Sequence, residues 1–358
     1  MDEVQKMWKT YEPLVLEYVA KAGELFQRED VLMPKKWRPT GDWQADALSA
    51  WDAAWNDGTV GRYNETHYAI DNAGAKMTFP VTWAMKPELK PLYPFDWEDS
   101  FDGSPLSMYM RKYYEIPLIC CVVYLVGIFL GRIIMSKLPA MDLTPLLVLW
   151  NLGLSVFSTI GLVRTVPHLI ATIEEFGLYH SICAPVGNTF GAGAVGLWSF
   201  LFIISKIPEL VDTVFIVLRK KPLVLLHWYH HFTVLLYVWQ SYAAQSSAGI
   251  YFIAMNYTVH SVMYFYYACA AMRMWPRWIP RWTITLLQLA QMVLGIWICV
   301  KIYQYKEAGM ACSTSEVSFK SGVVMYFSYF LLFLQILYKI LTYDGKKKTK
   351  AAIDKKNN

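Results

Sequence analysis

Residues 206–231 read KIPELVDTVFIVLRKKPLVLLHWYHH, and the architecture of the chain follows from this run. Lys206, Glu209 and Asp212 stand three residues apart in apolar sequence, Arg219, Lys220 and Lys221 close the segment, and His227, His230 and His231 follow across a short loop. Residues three and four apart share a helix face, so the charged set and the H-x-x-H-H set each make one polar stripe. Such a stripe is costly against lipid and should look into the interior of a helix bundle. Stretches long enough to cross a hydrocarbon core, roughly 20 residues, occur on both sides of the run, near 116–135, 145–166, 194–217, 223–240, 250–271, 282–303 and 321–343. The sequence therefore predicts an all-α polytopic membrane protein with seven transmembrane helices. Composition agrees: of 358 residues 55% are hydrophobic and 17% charged, and mean hydropathy is +0.27. Those values exclude an ordinary soluble globule and a disordered chain.

The net charge of +5 joins two unlike parts, since residues 1–110 hold 11 Lys and Arg against 18 Asp and Glu, and residues 111–358 hold 22 against 10. Most basic residues lie between apolar runs, which points to membrane topology and away from nucleic acid. Fifteen Lys and Arg fall on one side of the predicted spans, including Arg219, Lys220, Lys221, Arg273 and Arg277, against six on the other. An excess of positive charge marks the cytosolic side, so the C-terminus is predicted there and the N-terminus in the lumen. The chain then divides into an acidic lumenal extension (1–110), a seven-span domain (111–345) and a basic cytosolic tail (346–358). Asn64-Glu65-Thr66 is a glycosylation sequon on the lumenal side; a second, Asn256-Tyr257-Thr258, falls within a span. Lys355 and Lys356 near the end resemble the dilysine retrieval address of endoplasmic reticulum membrane proteins. The first 110 residues contain no apolar signal-peptide core. Leu48, Trp51 and Trp55 have helical spacing, and the Pro-rich stretch 80–105 reads as linker. Of six cysteines, Cys183 and Cys312 fall in loops on the oxidising lumenal side and are predicted to pair; the other four lie in spans.

Two further polar stripes accompany the histidines. Asn256 and Tyr264 flank His260 at i−4 and i+4, and Gln288 and Gln291 stand three apart in the sixth span. With these on the page the chain resembles the ELO family of very-long-chain fatty acid elongases. The family's K-x-x-E-L-x-D-T box is matched by Lys206, Glu209, Leu210, Asp212 and Thr213, and its H-x-x-H-H box by His227, His230 and His231. Its N-x-x-x-H-x-x-M-Y-x-Y-Y box is matched by Asn256, His260, Met263, Tyr264, Tyr266 and Tyr267, and its T-x-x-Q-x-x-Q box by Thr285, Gln288 and Gln291. The resemblance covers about 110–345 and leaves the first hundred residues unexplained.

The resemblance implies a condensing enzyme, a very-long-chain 3-oxoacyl-CoA synthase that joins a long-chain acyl-CoA to malonyl-CoA with release of CoA and carbon dioxide and needs no cofactor. By similarity His230 is the nucleophile that forms an acyl-imidazole, with His231 and His227 tuning it. His260 and Asn256 would hold the malonyl unit and stabilise its enolate. Lys206 and Asp212 would set the site's electrostatics, Tyr264 belongs to the His260 stripe, and Gln288 and Gln291 would line the site. Arg219, Lys220, Lys221, Arg273 and Arg277 would meet CoA phosphates at a cytosolic mouth. The family likeness also implies six helices closed around an acyl tunnel with the first span outside, and membrane lipids and the reductase, dehydratase and enoyl reductase of the elongation cycle as partners. A homodimer is left open. The H-W-Y-H-H form resembles the subgroup acting on saturated and monounsaturated chains. A di-iron membrane desaturase or hydroxylase also uses H-x-x-H-H boxes but needs more clustered histidines than the four of seven found here. A seven-span lipid receptor or transporter would show inward polar residues without assembling nucleophile and phosphate-binding groups near one membrane face.

Overall fold

Apolar sequence becomes helix almost throughout. The computed structural model describes residues 68–70, 76–79, 92, 95–276, 279–280 and 282–356. The expected helix around Leu48, Trp51 and Trp55, the sequon at Asn64 and the side chain of Arg277 lie outside the described residues, as do the side chains of Lys355 and Lys356. A short antiparallel pair comes first, β1 (Tyr68–Ile70) with β2 (Lys76–Thr78), in register Tyr68 to Thr78. Helices follow: α1 (Asp96–Asp99), α2 (Ser104–Lys112), α3 (Glu115–Ser136), α4 (Thr144–Cys183), α5 (Val186–Thr189) and α6 (Gly193–Ser205). Then come α7 (Val211–Leu218), α8 (Leu225–Ala243), α9 (Gly249–Ala271), α10 (Trp282–Glu307) and α11 (Glu316–Lys356). Among the described residues, α3, α4, α10 and the Glu316–Thr342 part of α11 are long and apolar enough to cross a membrane.

Three differences from the sequence reading have physical causes. The second expected span, 145–166, is only the first part of α4, which continues through Pro167 and turns at Gly177, whose φ of 81° suits a residue without Cβ. The third, 194–217, is broken into α6, a 3-10 turn at Pro208–Leu210 and α7, because Pro208 has no N–H to continue the helix ladder. The stretch 80–105 is folded in its latter part. Gly103 N–H donates to the Gly191 carbonyl and Gly193 N–H to that of Phe101. Buried Glu98 accepts from Arg164 Nε at 3.1 Å and from Trp198 Nε1 at 2.8 Å.

Packing inverts the pattern of a water-soluble helix. On α4, Asn151, Ser155, Ser158, Thr165 and Thr172 are buried while Leu146, Leu149, Val156 and Ile170 are exposed. Along α3, Ile119, Val122, Val126, Ile133 and others face outward. Apolar surface outside and small polar residues between helices is what a lipid solvent selects. Helix α4 packs on α9 and α6, α9 on α10, α10 on α11, α11 on α8, and α8 on α6, while α3 lies against α7 and α8. The core is rich in aromatic side chains: Tyr257 of α9 is buried among Phe157, Trp198 and Phe202 and donates its hydroxyl to the Trp198 carbonyl at 2.8 Å.

Candidate active site

The break between α6 and α7 gathers the charges. Lys206 Nζ donates to Glu209 Oε1 at 2.7 Å and to Asn256 Oδ1 at 3.2 Å, and Ser205 Oγ donates to the same Glu209 oxygen at 2.9 Å. The pair is 2% and 3% exposed, so neither charge is hydrated and each depends on the other. The Lys206 ammonium also sits 4.1 Å from the Phe202 ring centroid. One turn along α9, His260 Nε2 lies 3.1 Å from Asn256 Nδ2. The third span of the sequence reading therefore contributes one polar group with the fifth.

The three histidines of α8 occupy its first two turns. The His227 and His231 rings are 4.6 Å apart and those of His230 and His231 5.4 Å. His227 Nε2 meets Thr213 Oγ1 at 2.9 Å, and Thr213 in turn meets the Tyr124 hydroxyl at 2.7 Å. His231 Nε2 stands 4.0 Å from Asp212 Oδ2, and the carboxylate accepts from Trp150 Nε1 at 2.6 Å and from the Tyr264 hydroxyl at 2.8 Å. The His230 ring lies 5.1 Å from that of Tyr329, whose hydroxyl donates to the His230 carbonyl at 3.3 Å and pairs with Thr233. Side chains from α3, α4, α7, α8, α9 and α11 thus meet at one level of the bundle.

The remaining expected residues separate. Gln288 donates to Met263 Sδ on α9 at 3.1 Å, and Gln291 is buried on α10. Arg219 turns to the loop before α4: it donates to Thr144 Oγ1 at 3.5 Å beside Asp142, whose carboxylate is held below the usual range by hydrogen bonds from Thr144. Lys220, Lys221 and Arg273 are exposed, with Lys220 and Arg273 at positive φ where the chain leaves a helix. Cys183 and Cys312 are joined by a disulfide, their Cα atoms 4.2 Å apart. Sequence reasoning passed over Tyr124, Trp150 and Tyr329, none of which stands in a recognisable pattern; Thr213 was visible in its box without a role.

An apolar pocket begins at Tyr237, seven residues beyond His230 on α8, and is bounded by Phe190, Phe202, Tyr242 and Phe252 among others. Seven residues of helix advance roughly 10 Å. A polar level able to hold a nucleophile and charged groups therefore has an apolar space one or two turns further along the same helix. Among the described residues no group of three or more His, Cys, Asp or Glu is arranged to hold a metal ion.

Residues 109–351 match the model of the GNS1/SUR4 family, ELO. The chain is 42% identical over 260 residues to very long chain fatty acid elongase 6 of Drosophila melanogaster, covering 72% of this chain and 82% of that protein. It is 37% identical over 264 residues to very long chain fatty acid elongase 6 of Gallus gallus, covering 74% and 97%. To fatty acid elongase 3 of Trypanosoma brucei brucei it is 37% identical over 268 residues, covering 67% and 88%.

Proposed function

The chain belongs to the ELO family and acts in fatty acid elongation, and from that premise we propose that it carries out the condensing step, as a 3-oxoacyl-CoA synthase, through an acyl-histidine intermediate. In the first half, a ring nitrogen of His230 attacks the thioester carbonyl of acyl-CoA, the C–S bond breaks, and CoA leaves with a proton. In the second, malonyl-CoA loses carbon dioxide, and the α-carbon of the resulting thioester enolate attacks the acyl-imidazole carbonyl. The C–N bond breaks, the departing imidazole nitrogen takes up a proton from water, which restores neutral His230, and 3-ketoacyl-CoA departs. An acyl-imidazole keeps the reactivity of a thioester, so one difficult encounter becomes two easier ones. His227 and His231 orient the nucleophile, and Asn256 with His260 would stabilise the enolate oxygen next to the Lys206 charge.

The observation that carries this reading is the joining of the sequence boxes through side chains: Lys206 to Asn256, which in turn meets His260, and Asp212 to Tyr264, with His231 4.0 Å from the same carboxylate. The apolar cavity beyond the histidines suits an acyl chain. The order of helix contacts supports a closed bundle of six elements, α4, the α6–α7 pair, α8, α9, α10 and α11, with α3 outside as the first of seven spans. The wider reading is an endoplasmic reticulum membrane enzyme with a lumenal N-terminus glycosylated at Asn64, a lumenal Cys183–Cys312 disulfide and a cytosolic tail whose Lys355 and Lys356 act in retrieval. It prefers saturated and monounsaturated chains and hands its product to a ketoacyl-CoA reductase. Full-length protein in detergent, given a long-chain acyl-CoA and malonyl-CoA, is expected to release carbon dioxide and form the 3-ketoacyl-CoA. Acyl-CoA alone should leave an acyl group on His230 detectable by peptide mass spectrometry. Carbon dioxide release independent of acyl-CoA, or acylation at another residue, overturns the mechanism.

A further inference from the structure

Helix α3 packs outside the ring of helices that holds the histidines, yet it sends one polar atom into the site. Its inward face is Cys121, Tyr124, Ile128 and Met135, an apolar row against Val217, Phe232 and Leu235. Within that row the Tyr124 hydroxyl reaches Thr213 Oγ1 at 2.7 Å, and Thr213, 1% exposed, reaches His227 Nε2 at 2.9 Å. A threonine hydroxyl has one proton to give and can accept others. Which ring nitrogen of His227 carries its proton is set by the partner of the other. A phenol is the better donor and poorer acceptor of the two hydroxyls. With Tyr124 donating to Thr213, the threonine proton is directed to His227 Nε2, and the imidazole is held with its proton on Nδ1. Without Tyr124, Thr213 can accept from His227 as readily as donate to it, and both tautomers become accessible.

We propose that Tyr124, on the outlying first membrane helix, is a positioning residue that fixes the tautomer and ring orientation of His227 through Thr213. The structural part stands on the hydrogen-bond chain alone, and only its kinetic consequence rests on the condensation reading above. Tyr124→Phe keeps the ring and removes the hydroxyl. In the full-length protein labelled with 15N-histidine, with His227 assigned by its substitution, the wild type is expected to show one tautomer with unprotonated Nε2. Tyr124→Phe should give a mixture. In turnover, kcat should fall about five- to tenfold, the worth of one buried hydrogen bond, with KM for both substrates within about twofold. Ile128→Val, at the same helix contact but without a polar atom, serves as the packing control and should leave both readouts unchanged. Should Tyr124→Phe fail to fold, Thr213→Val breaks the same chain and should give the same tautomer change. A His227 signal protonated on Nε2 in the wild type, a spectrum unaltered by these substitutions, or an equal kcat loss in Ile128→Val overturns the proposal. If the wild type shows no condensation at all, the spectrum still decides the relay, so the two failures are distinct.

Discussion

His230 differs from its neighbours in what touches its ring. His227 has Thr213 and His231 faces Asp212, whereas the described ring contacts of His230 are aromatic, with Tyr329 and His231. A nucleophile needs an uncommitted lone pair, and the aromatic contacts of the His230 ring are compatible with the nucleophilic role proposed for it. His230→Ala is expected to lower condensation about a thousandfold or more with little change in unfolding temperature; malonyl incorporation at the wild-type rate would remove it from that role. The Lys206–Glu209 pair makes the opposite prediction. Glu209→Ala leaves an uncompensated buried ammonium and should destabilise by about 3–5 kcal/mol, read as a large fall in melting temperature in detergent. The double change Lys206→Met with Glu209→Leu should recover stability and not activity, and recovery of neither would point to steric damage. The histidine face was legible in the sequence, because spacing of three and four fixes a helix face wherever that helix sits, whereas Lys206, Glu209 and Asp212 were legible only as charges in an apolar run, since Pro208 breaks the helix between them and sends Asp212 to other partners than the Lys206–Glu209 pair. Tyr124 and Trp150 were not, since each is one aromatic residue among many and its meaning arises from a partner 89 or 62 residues away.

At the level of helices, the seam between α4 and α9 shows how apolar helices without a hydrophobic drive between them can still hold together. A Cβ at Gly161 would stand 2.3 Å from the Tyr257 ring, and that ring is pinned by its hydrogen bond to the Trp198 carbonyl. Close approach through a small residue is therefore a condition of the seam. Gly295 plays the same part for Tyr326 between α10 and α11. Gly161→Ala is expected to cost about 1–3 kcal/mol through overpacking, measured by thermal unfolding, and Tyr257→Leu in the same chain should return part of it. An unchanged melting temperature in the single variant would mean that the helices part without penalty. Hydropathy placed helix in apolar stretches, and among the described residues four of the helices are long and apolar enough to cross a membrane. It could not locate the turn at Gly177 or the length of α4. Pro167 has the look of an end, yet the helix continues past it, with Arg164 and His168 on either side held by the tertiary partners Glu98 and the Thr189 carbonyl.

Across the molecule, polar chemistry lies inside and apolar surface outside, with charge concentrated where the helices emerge. Lys220 and Lys221 are exposed at the turn between α7 and α8, directly before the histidines, and neither is described in an ion pair. Two accounts of them are available. As topology signals they only keep this end of the bundle in the cytosol. As part of the mouth they attract the phosphates of CoA, which must arrive twice in each cycle, once on each thioester, with lysines serving as point charges. The accounts separate kinetically. Changing both residues to glutamine leaves the other basic residues on that side in place, so insertion should be normal, checked by glycan at Asn64. If the lysines serve the substrates, KM for malonyl-CoA or acyl-CoA should rise about threefold or more at low salt, and the gap from the wild type should narrow as salt rises and screens the attraction. Unchanged kinetics for both substrates, in protein that carries its glycan, would reduce the two lysines to a topology signal.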